Sequence, residues 1–118
     1  MKKQRTGLTR IYYAIGYSWQ GFRDAFKFEA AFRQELFIVV LLTPAALYFG
    51  KTGIEKALLI AMLGLVIITE LLNSAIEAIV DRVGEEHHEL SGRAKDIASA
   101  AVMFSIIITV VVWILILF

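Results

Sequence analysis

The residues best suited to chemistry lie in the second half of a long apolar segment. Glu70, Asn73 and Glu77 interrupt the run over residues 57–84, which otherwise has the composition of a membrane-spanning helix. At about 100° per residue, positions 70, 73, 74, 77 and 81 of a helix fall within roughly a 100° arc. One polar stripe therefore contains Glu70, Asn73, Ser74, Glu77 and Asp81. An ionisable side chain in a span costs about 2.5 to 3.5 kcal/mol, so these carboxylates indicate a functional site.

Oxygen donors and cations near this segment are groups that bind Mg²⁺ and phosphate. Glu29 and Glu35 lie at the start of the first apolar run, and Arg93 and Lys95 follow the second. Carboxylate and amide oxygens are hard ligands that suit Mg²⁺. Ser91 is expected to be the N-cap of the next helix, whose N–H groups and neighbouring cations would attract an anion. Together they predict a magnesium and phosphate site, as in phosphoryl transfer to a lipid hydroxyl.

Two other motifs carry little weight. Residues 50–52 read GKT, like the end of a P-loop, but Ala45 stands where that motif requires glycine, so a turn is predicted. His87 and His88 are adjacent, and the sequence has no second pair of histidines or cysteines for a zinc site. They are interpreted as loop histidines, one of which is a candidate for contact with a nucleotide base.

Composition places the chain in a membrane. The 118 residues are 58% apolar and include one proline and no cysteine, which indicates a small polytopic membrane protein and excludes disulfides and thiolate metal sites. The net charge of +1 is small, and no nucleic-acid partner is expected. The N-terminus lacks the layout of a cleaved signal peptide, so it is expected to be retained.

The positioning elements follow from hydrophobic periodicity. Over residues 8–27, apolar side chains recur at intervals of three and four, which predicts an amphipathic helix lying in the membrane interface. The alternative is a soluble amphipathic helix that packs on a partner. Three transmembrane helices are predicted at residues 29–49, 54–83 and 92–118. The predicted fold is an all-α membrane protein with a single membrane domain over residues 1–118.

Basic residues predict the orientation. Seven of them lie in residues 1–35, two in residues 51–56, three in residues 82–95 and none in residues 97–118. Because basic flanks remain on the cytoplasmic side, the N-terminus and the loop over residues 82–96 are expected in the cytoplasm. The polar stripe then converges with both charged segments on one face.

Three strings of this sequence together are similar to one known family. They are EAAFRQE at 29–35, ELLNSAIEAIVDR at 70–82 and HELSGRAKD at 88–96, with RIYYAIGYSWQG beginning at residue 10. They resemble the small prokaryotic integral-membrane diacylglycerol kinases over nearly the whole chain. The resemblance implies a homotrimeric helical bundle with active sites shared between chains. It also implies transfer of the γ-phosphoryl group of ATP, with Mg²⁺, to the hydroxyl of diacylglycerol to give phosphatidic acid.

The resemblance also implies roles for individual residues. Glu70 corresponds to the general base that accepts the lipid hydroxyl proton, and Asn73 to a catalytic residue that organises it. Glu29 and Glu77 correspond to the carboxylates that hold the metal on the ATP phosphates. The residues implied to bind ATP are Arg10, Tyr17, Glu29, Glu77, His87, Glu89, Lys95 and Asp96. The residues implied to bind the lipid are Arg10, Ser18, Trp19, Gln34, Glu35, Glu70 and Ser99.

Several alternatives stay open from the sequence. An undecaprenol kinase of the same family would phosphorylate another lipid alcohol. A small proton-coupled multidrug transporter would use a membrane glutamate, but such chains normally have four spans. A non-enzymatic assembly subunit is the third. At the level of residues, Glu70 and Glu77 would also fit buried neutral acids, while Asp81, and Glu29 with Arg33, would also fit ion pairs at helix ends.

Overall fold

The computed structural model describes residues 6–84 and 88–118, and these residues form four α-helices without a strand. The helices are α1 (Gly7–Phe28), α2 (Ala30–Phe49), α3 (Gly53–Val83) and α4 (Glu89–Leu117). Within the described residues, α2, α3 and α4 are long and apolar enough to cross a bilayer. The prediction of an all-α membrane fold with one amphipathic helix and three spans is therefore confirmed.

The connections between the first three helices are short. Glu29 alone separates α1 from α2, with φ −114° and ψ 105°. The turn from α2 to α3 requires glycine at position 50, because a Cβ there would lie 2.7 Å from Lys56 Cγ and 2.8 Å from the Ala46 carbonyl oxygen. Thr52 then caps α3 by accepting a hydrogen bond from the Glu55 N–H at 3.1 Å. The helix α2 continues through Pro44.

Polar side chains of α4 bind α3 along an antiparallel contact. Three hydrogen bonds join the helices, and we call them the hydroxyl ladder. Ser105 bonds to Thr69 (2.9 Å), Thr109 to the Met62 carbonyl (3.1 Å) and the Trp113 indole N–H to the Leu59 carbonyl (3.2 Å). Ser105 and Thr109 are both buried. At their spacing of four residues the three α4 side chains share one helix face, so the ladder fixes the register of α4 against α3.

The hydrogen bond between Thr69 and Ser105 is expected to stabilise the fold modestly. Such bonds in membranes contribute about 0.6 kcal/mol on average by double-mutant cycles. A cycle of Thr69→Val and Ser105→Ala, measured as the free energy of unfolding in micelles, should give a coupling near that value. Thr43→Val is the control partner for Ser105→Ala, because the Thr43 hydroxyl donates to Val39 of its own helix at 2.7 Å. Equal coupling in both cycles would contradict this interpretation of the ladder.

Candidate active site

The polar stripe is buried at its centre and exposed towards the C-terminal end of α3. Glu70 is only 4% exposed, Asn73 and Glu77 are half-buried, and Asp81 is exposed. The Asn73 side-chain amide donates to Glu77 Oε1 at 3.3 Å, and Asn73, Glu77 and Glu29 all lie within interaction range of the Glu70 side chain. The fold therefore gathers three carboxylates and an amide from two parts of the chain.

Two oxygen atoms at this cluster are buried without a hydrogen-bond partner among the described residues. They are Asn73 Oδ1 and Glu35 Oε2. Because the Glu77 carboxylate accepts from the Asn73 NH₂ group, the Asn73 carbonyl oxygen must point elsewhere. Glu35, on α2, interacts electrostatically with Glu70. Buried oxygens without partners are costly in a folded chain, so this cluster is built to receive a donor or a cation.

The Glu29 carboxylate enters the cluster from the junction between α1 and α2. It makes no side-chain capping hydrogen bond to either helix. The alternative of an ion pair with Arg33 is not observed, because Arg33 donates to the carbonyl oxygens of Phe26 and Lys27. The carboxylate of Glu29 is thus not committed to a structural role at the helix ends.

A second charged contact joins the C-terminal end of α3 to the N-terminal end of α4. Lys95 Nζ lies 2.7 Å from Asp81 Oδ1, and both side chains are substantially exposed. Lys95 also interacts electrostatically with Glu77. An exposed pair contributes little to stability, so its main effect is to place a cation at the open end of the polar stripe. The sequence left open whether Asp81 has a structural or a functional role, and in the structure Asp81 is the ion-pair partner of Lys95.

The start of α4 differs from the expectation. The sequence predicted a helix from residue 92 with Ser91 as N-cap, whereas α4 begins at Glu89 and His88 is its N-cap. His88 Nδ1 accepts from the Leu90 N–H at 3.1 Å, so Ser91 lies inside the helix. Arg93 pairs with Glu89 at 3.3 Å instead of adding a free cation. His87 lies outside the described residues.

Two expected nucleotide-binding residues face away from the cluster. At about 100° per residue, Glu89 and Asp96 project roughly opposite to Ser105 and Thr109, which face α3. With Arg93 they line a shallow depression on the outer side of α4. Ser99 is also exposed on α4. Within one chain, Lys95 is brought to the carboxylates, but Glu89 and Asp96 are not.

The expected residues of α1 are exposed. Arg10, Ser18 and Trp19 line a shallow apolar groove along α1 itself, and Tyr17 is 52% exposed. Ser18 and Glu29 also line a second groove of about 580 Å³ between α1 and α3, whose far wall includes Leu71 and Ser74. That groove is mostly apolar and opens beside the polar stripe. Gln34 is exposed on α2.

The donor set fits a hard divalent cation that is held together with phosphate. No group of three or more acidic, histidine or cysteine side chains in the described residues is arranged to hold a metal by itself. Mg²⁺ seldom needs such a cage, because one or two carboxylates plus substrate phosphates and waters commonly complete its six ligands. Glu29 and Glu77, each within electrostatic range of Glu70, are carboxylates of the kind that such a site uses.

Comparisons with known proteins show the family of this chain. The sequence model of a family described as prokaryotic diacylglycerol kinase matches residues 16–117. A diacylglycerol kinase of Escherichia coli strain K12 is 54% identical over 113 residues, covering 96% of this chain and 93% of the relative. One from Haemophilus influenzae is 50% identical over 108 residues, covering 92% of each chain. One from Helicobacter pylori strain 26695 is 38% identical over 107 residues, covering 91% and 84% respectively.

Proposed function

This chain belongs to the prokaryotic diacylglycerol kinase family and is an ATP-dependent diacylglycerol kinase, and from that premise we propose that Glu29, Glu70, Asn73 and Glu77 form its catalytic centre. The observation that carries the proposal is the buried Glu70 carboxylate, held within range of two further carboxylates and an amide. Membrane burial of such a group is unfavourable, and a kinase for a membrane alcohol explains it.

In the proposed mechanism, Glu70 accepts the proton of the lipid hydroxyl. The hydroxyl oxygen forms a bond to the γ-phosphorus of ATP while the bond from that phosphorus to the β–γ bridging oxygen breaks, giving phosphatidic acid and ADP. The Asn73 side-chain amide donates to Glu77 and lies within hydrogen-bonding range of Glu70, so it orients these two carboxylates before transfer. Low exposure of Glu70 excludes water that would otherwise compete as acceptor.

Glu29 and Glu77 are proposed to hold a divalent metal, which we identify as Mg²⁺. When bound with ATP, the ion neutralises charge on the phosphates and aligns the γ-phosphoryl group. The paired carboxylates from the α1–α2 junction and from α3 support this assignment, because hard oxygen ligands match this ion. Lys95 is proposed to contact phosphate from the open end of the stripe.

The remaining roles are also proposals. Nucleotide contacts are assigned to Arg10, Tyr17, His87, Glu89 and Asp96. Lipid contacts are assigned to Arg10, Ser18, Trp19, Gln34, Glu35 and Ser99. The apolar groove between α1 and α3 supports the second set, because Ser18 and Glu29 share it and it opens beside the stripe. An acyl chain would lie along its apolar walls with the hydroxyl near Glu70.

We further propose that the enzyme is a homotrimer in the bacterial inner membrane with a cytoplasmic N-terminus. Ten of the twelve basic residues lie in residues 1–35 and 82–95, and this distribution supports the orientation. The outward projection of Glu89 and Asp96 supports active sites shared between chains, because the Glu70 cluster of the same chain lies on the other side of α4 and that of a neighbouring chain could face them. The many exposed apolar side chains on all four helices leave ample surface for chain contacts.

Glu29→Gln and Glu77→Gln should each weaken productive binding of the metal–ATP complex. Each substitution removes one anionic ligand and retains shape, so the Mg²⁺ concentration for half-maximal activity should rise at least about tenfold. Excess Mg²⁺ should partly restore the rate. The measurement is phosphorylation of diacylglycerol by labelled ATP in mixed micelles, with undecaprenol as the comparison acceptor.

Glu55→Gln is the matched control for both variants, since Glu55 lies at the opposite end of α3 and accepts from the Lys51 N–H. It should retain the Mg²⁺ dependence of the unmodified protein. If neither Glu29→Gln nor Glu77→Gln alters that dependence, the metal assignment is wrong.

A further inference from the structure

The junction between α1 and α2 is a hinge of one residue. The Glu29 N–H donates to the Ala25 carbonyl at 2.9 Å, and the Glu29 carbonyl accepts from the Arg33 N–H at 3.2 Å. Glu29 therefore ends one helix and begins the next while its own backbone is extended. A rotation about its φ or ψ would swing α1 and turn the Glu29 side chain together, so whatever fixes this hinge also fixes that carboxylate.

The Arg33 side chain closes the hinge from the other side. Its Nη1 atom donates to the carbonyl oxygens of Phe26 at 2.8 Å and Lys27 at 3.1 Å. These are among the last carbonyls of α1, which have no partner within their own helix, and a cation at a helix C-terminus is favourable. In the first turn of α2 the same charge opposes that helix dipole. The location of Arg33 is therefore explained by α1 and not by α2.

Buried apolar side chains support the same arrangement. Ala25 and Phe32 flank the hinge and are 7% and 1% exposed. Ala25 is the buried residue of α1, and Phe32 is among the largest fully buried side chains of the described chain. Their burial restricts the two helices on either side of Glu29, and the two hydrogen bonds from Arg33 span that residue directly.

We propose that Arg33 is a positioning residue that holds the Glu29 carboxylate towards Glu70 and Glu77 and so sets the affinity of the site for its divalent cation. The inference rests on the metal role proposed above for Glu29. Arg33 contacts neither substrate nor metal in this assignment. It acts through the backbone of α1, by keeping the hinge in the conformation that directs Glu29 into the cluster.

The test compares Arg33→Gln with Arg33→Lys. Loss of an outer-shell partner typically lowers metal affinity 10- to 100-fold, so for Arg33→Gln the half-activating Mg²⁺ concentration should rise about tenfold. The rate at saturating Mg²⁺ should fall by no more than about threefold, since transition-state contacts are retained. Arg33→Lys keeps a cation that can donate to the same carbonyls, and should restore most of the Mg²⁺ affinity. Arg23→Gln is the matched control, because Arg23 is exposed on α1 and has no assigned role.

A binding measurement separates positioning from turnover. Equilibrium dialysis of Mn²⁺ with a non-hydrolysable ATP analogue should show weaker retention by Arg33→Gln than by Arg33→Lys or Arg23→Gln. Because Arg33 acts through Glu29, the double variant Arg33→Gln/Glu29→Gln should bind no more weakly than Glu29→Gln alone. If the glutamine variant does not assemble, Arg33→Met retains most of the side-chain length and takes its place.

The outcomes distinguish the two levels of assignment. If Glu29→Gln weakens metal binding and Arg33→Gln does not, the inference on Arg33 is overturned while the metal site stands. Additive losses in the double variant would also overturn it, because they would show that Arg33 acts independently of Glu29. If Glu29→Gln itself leaves metal binding unchanged, the proposed metal role fails and the positioning role fails with it.

Discussion

Replacing Glu70 by glutamine is expected to leave the protein folded and to lower turnover by roughly 10²- to 10⁴-fold, the usual effect of losing a general base. The amide has the shape of the carboxylate and can still form hydrogen bonds in the buried cluster. It cannot take up the lipid hydroxyl proton. The loss should therefore appear in kcat and in kcat/KM alike, because the missing interaction is made only as the proton moves.

The measurement is the initial rate of diacylglycerol phosphorylation in mixed micelles at saturating ATP and lipid. Unfolding in the same micelles shows whether the variant is assembled. Glu55→Gln carries the same chemical change on the same helix, outside the polar stripe, and should retain full activity. Turnover of Glu70→Gln within a factor of a few of the unmodified protein would remove Glu70 from the role of base.

The broad architecture was predictable because it depends on periodicity and length. Three apolar segments long enough for a bilayer predicted the three spans, and α3 ends at Val83, the predicted end of the second span. The polar stripe was equally accessible, since residues three and four apart share one helix face. The proximity of the stripe to Glu29 required only that both lie near the same predicted face of the membrane.

The contacts that position the site were not predictable in the same way. An ion pair of Arg33 with Glu29 at a spacing of four was one open alternative, but Arg33 instead donates to carbonyls at the end of α1, which lack helical partners. The one available signal was a cation in the first turn of a helix, where the dipole disfavours it. Ser91 was a plausible N-cap by residue type, but His88 caps the helix three residues earlier.

The hydroxyl ladder shows a related limit. Ser105, Thr109 and Trp113 recur at intervals of four, which places them on one face of α4. Their partners are a hydroxyl and two carbonyls of α3, and the sequence does not specify which register will bring these together. Side-chain spacing indicates a shared face, whereas the choice of partner depends on how two helices pack.

The same distinction decides how sharing of the active site should be tested. From the sequence, Glu29 before the first span and Glu70 in the second form a reasonable pair from different chains. In the structure they lie within electrostatic range inside one chain. Asp96 projects from the opposite side of α4, beside Glu89 and Arg93. If Asp96 binds ATP at a site containing Glu70, those two residues must come from different chains.

Mixed assemblies of Glu70→Gln and Asp96→Asn chains are therefore expected to regain activity that neither variant has alone. In a closed ring each site would combine Glu70 of one chain with Asp96 of its neighbour, so random mixing leaves about a quarter of the sites intact. Activity should be well below that of the unmodified protein and far above either parent.

The internal control is a mixture of Glu70→Gln and Glu29→Gln chains. It should regain no activity, because a single chain supplies both Glu29 and Glu70 to each site. Mass spectrometry of the mixed sample confirms that chains have exchanged. Mixed Glu70→Gln and Asp96→Asn samples no more active than their parents would show that the site is complete within one chain, or that Asp96 does not belong to it.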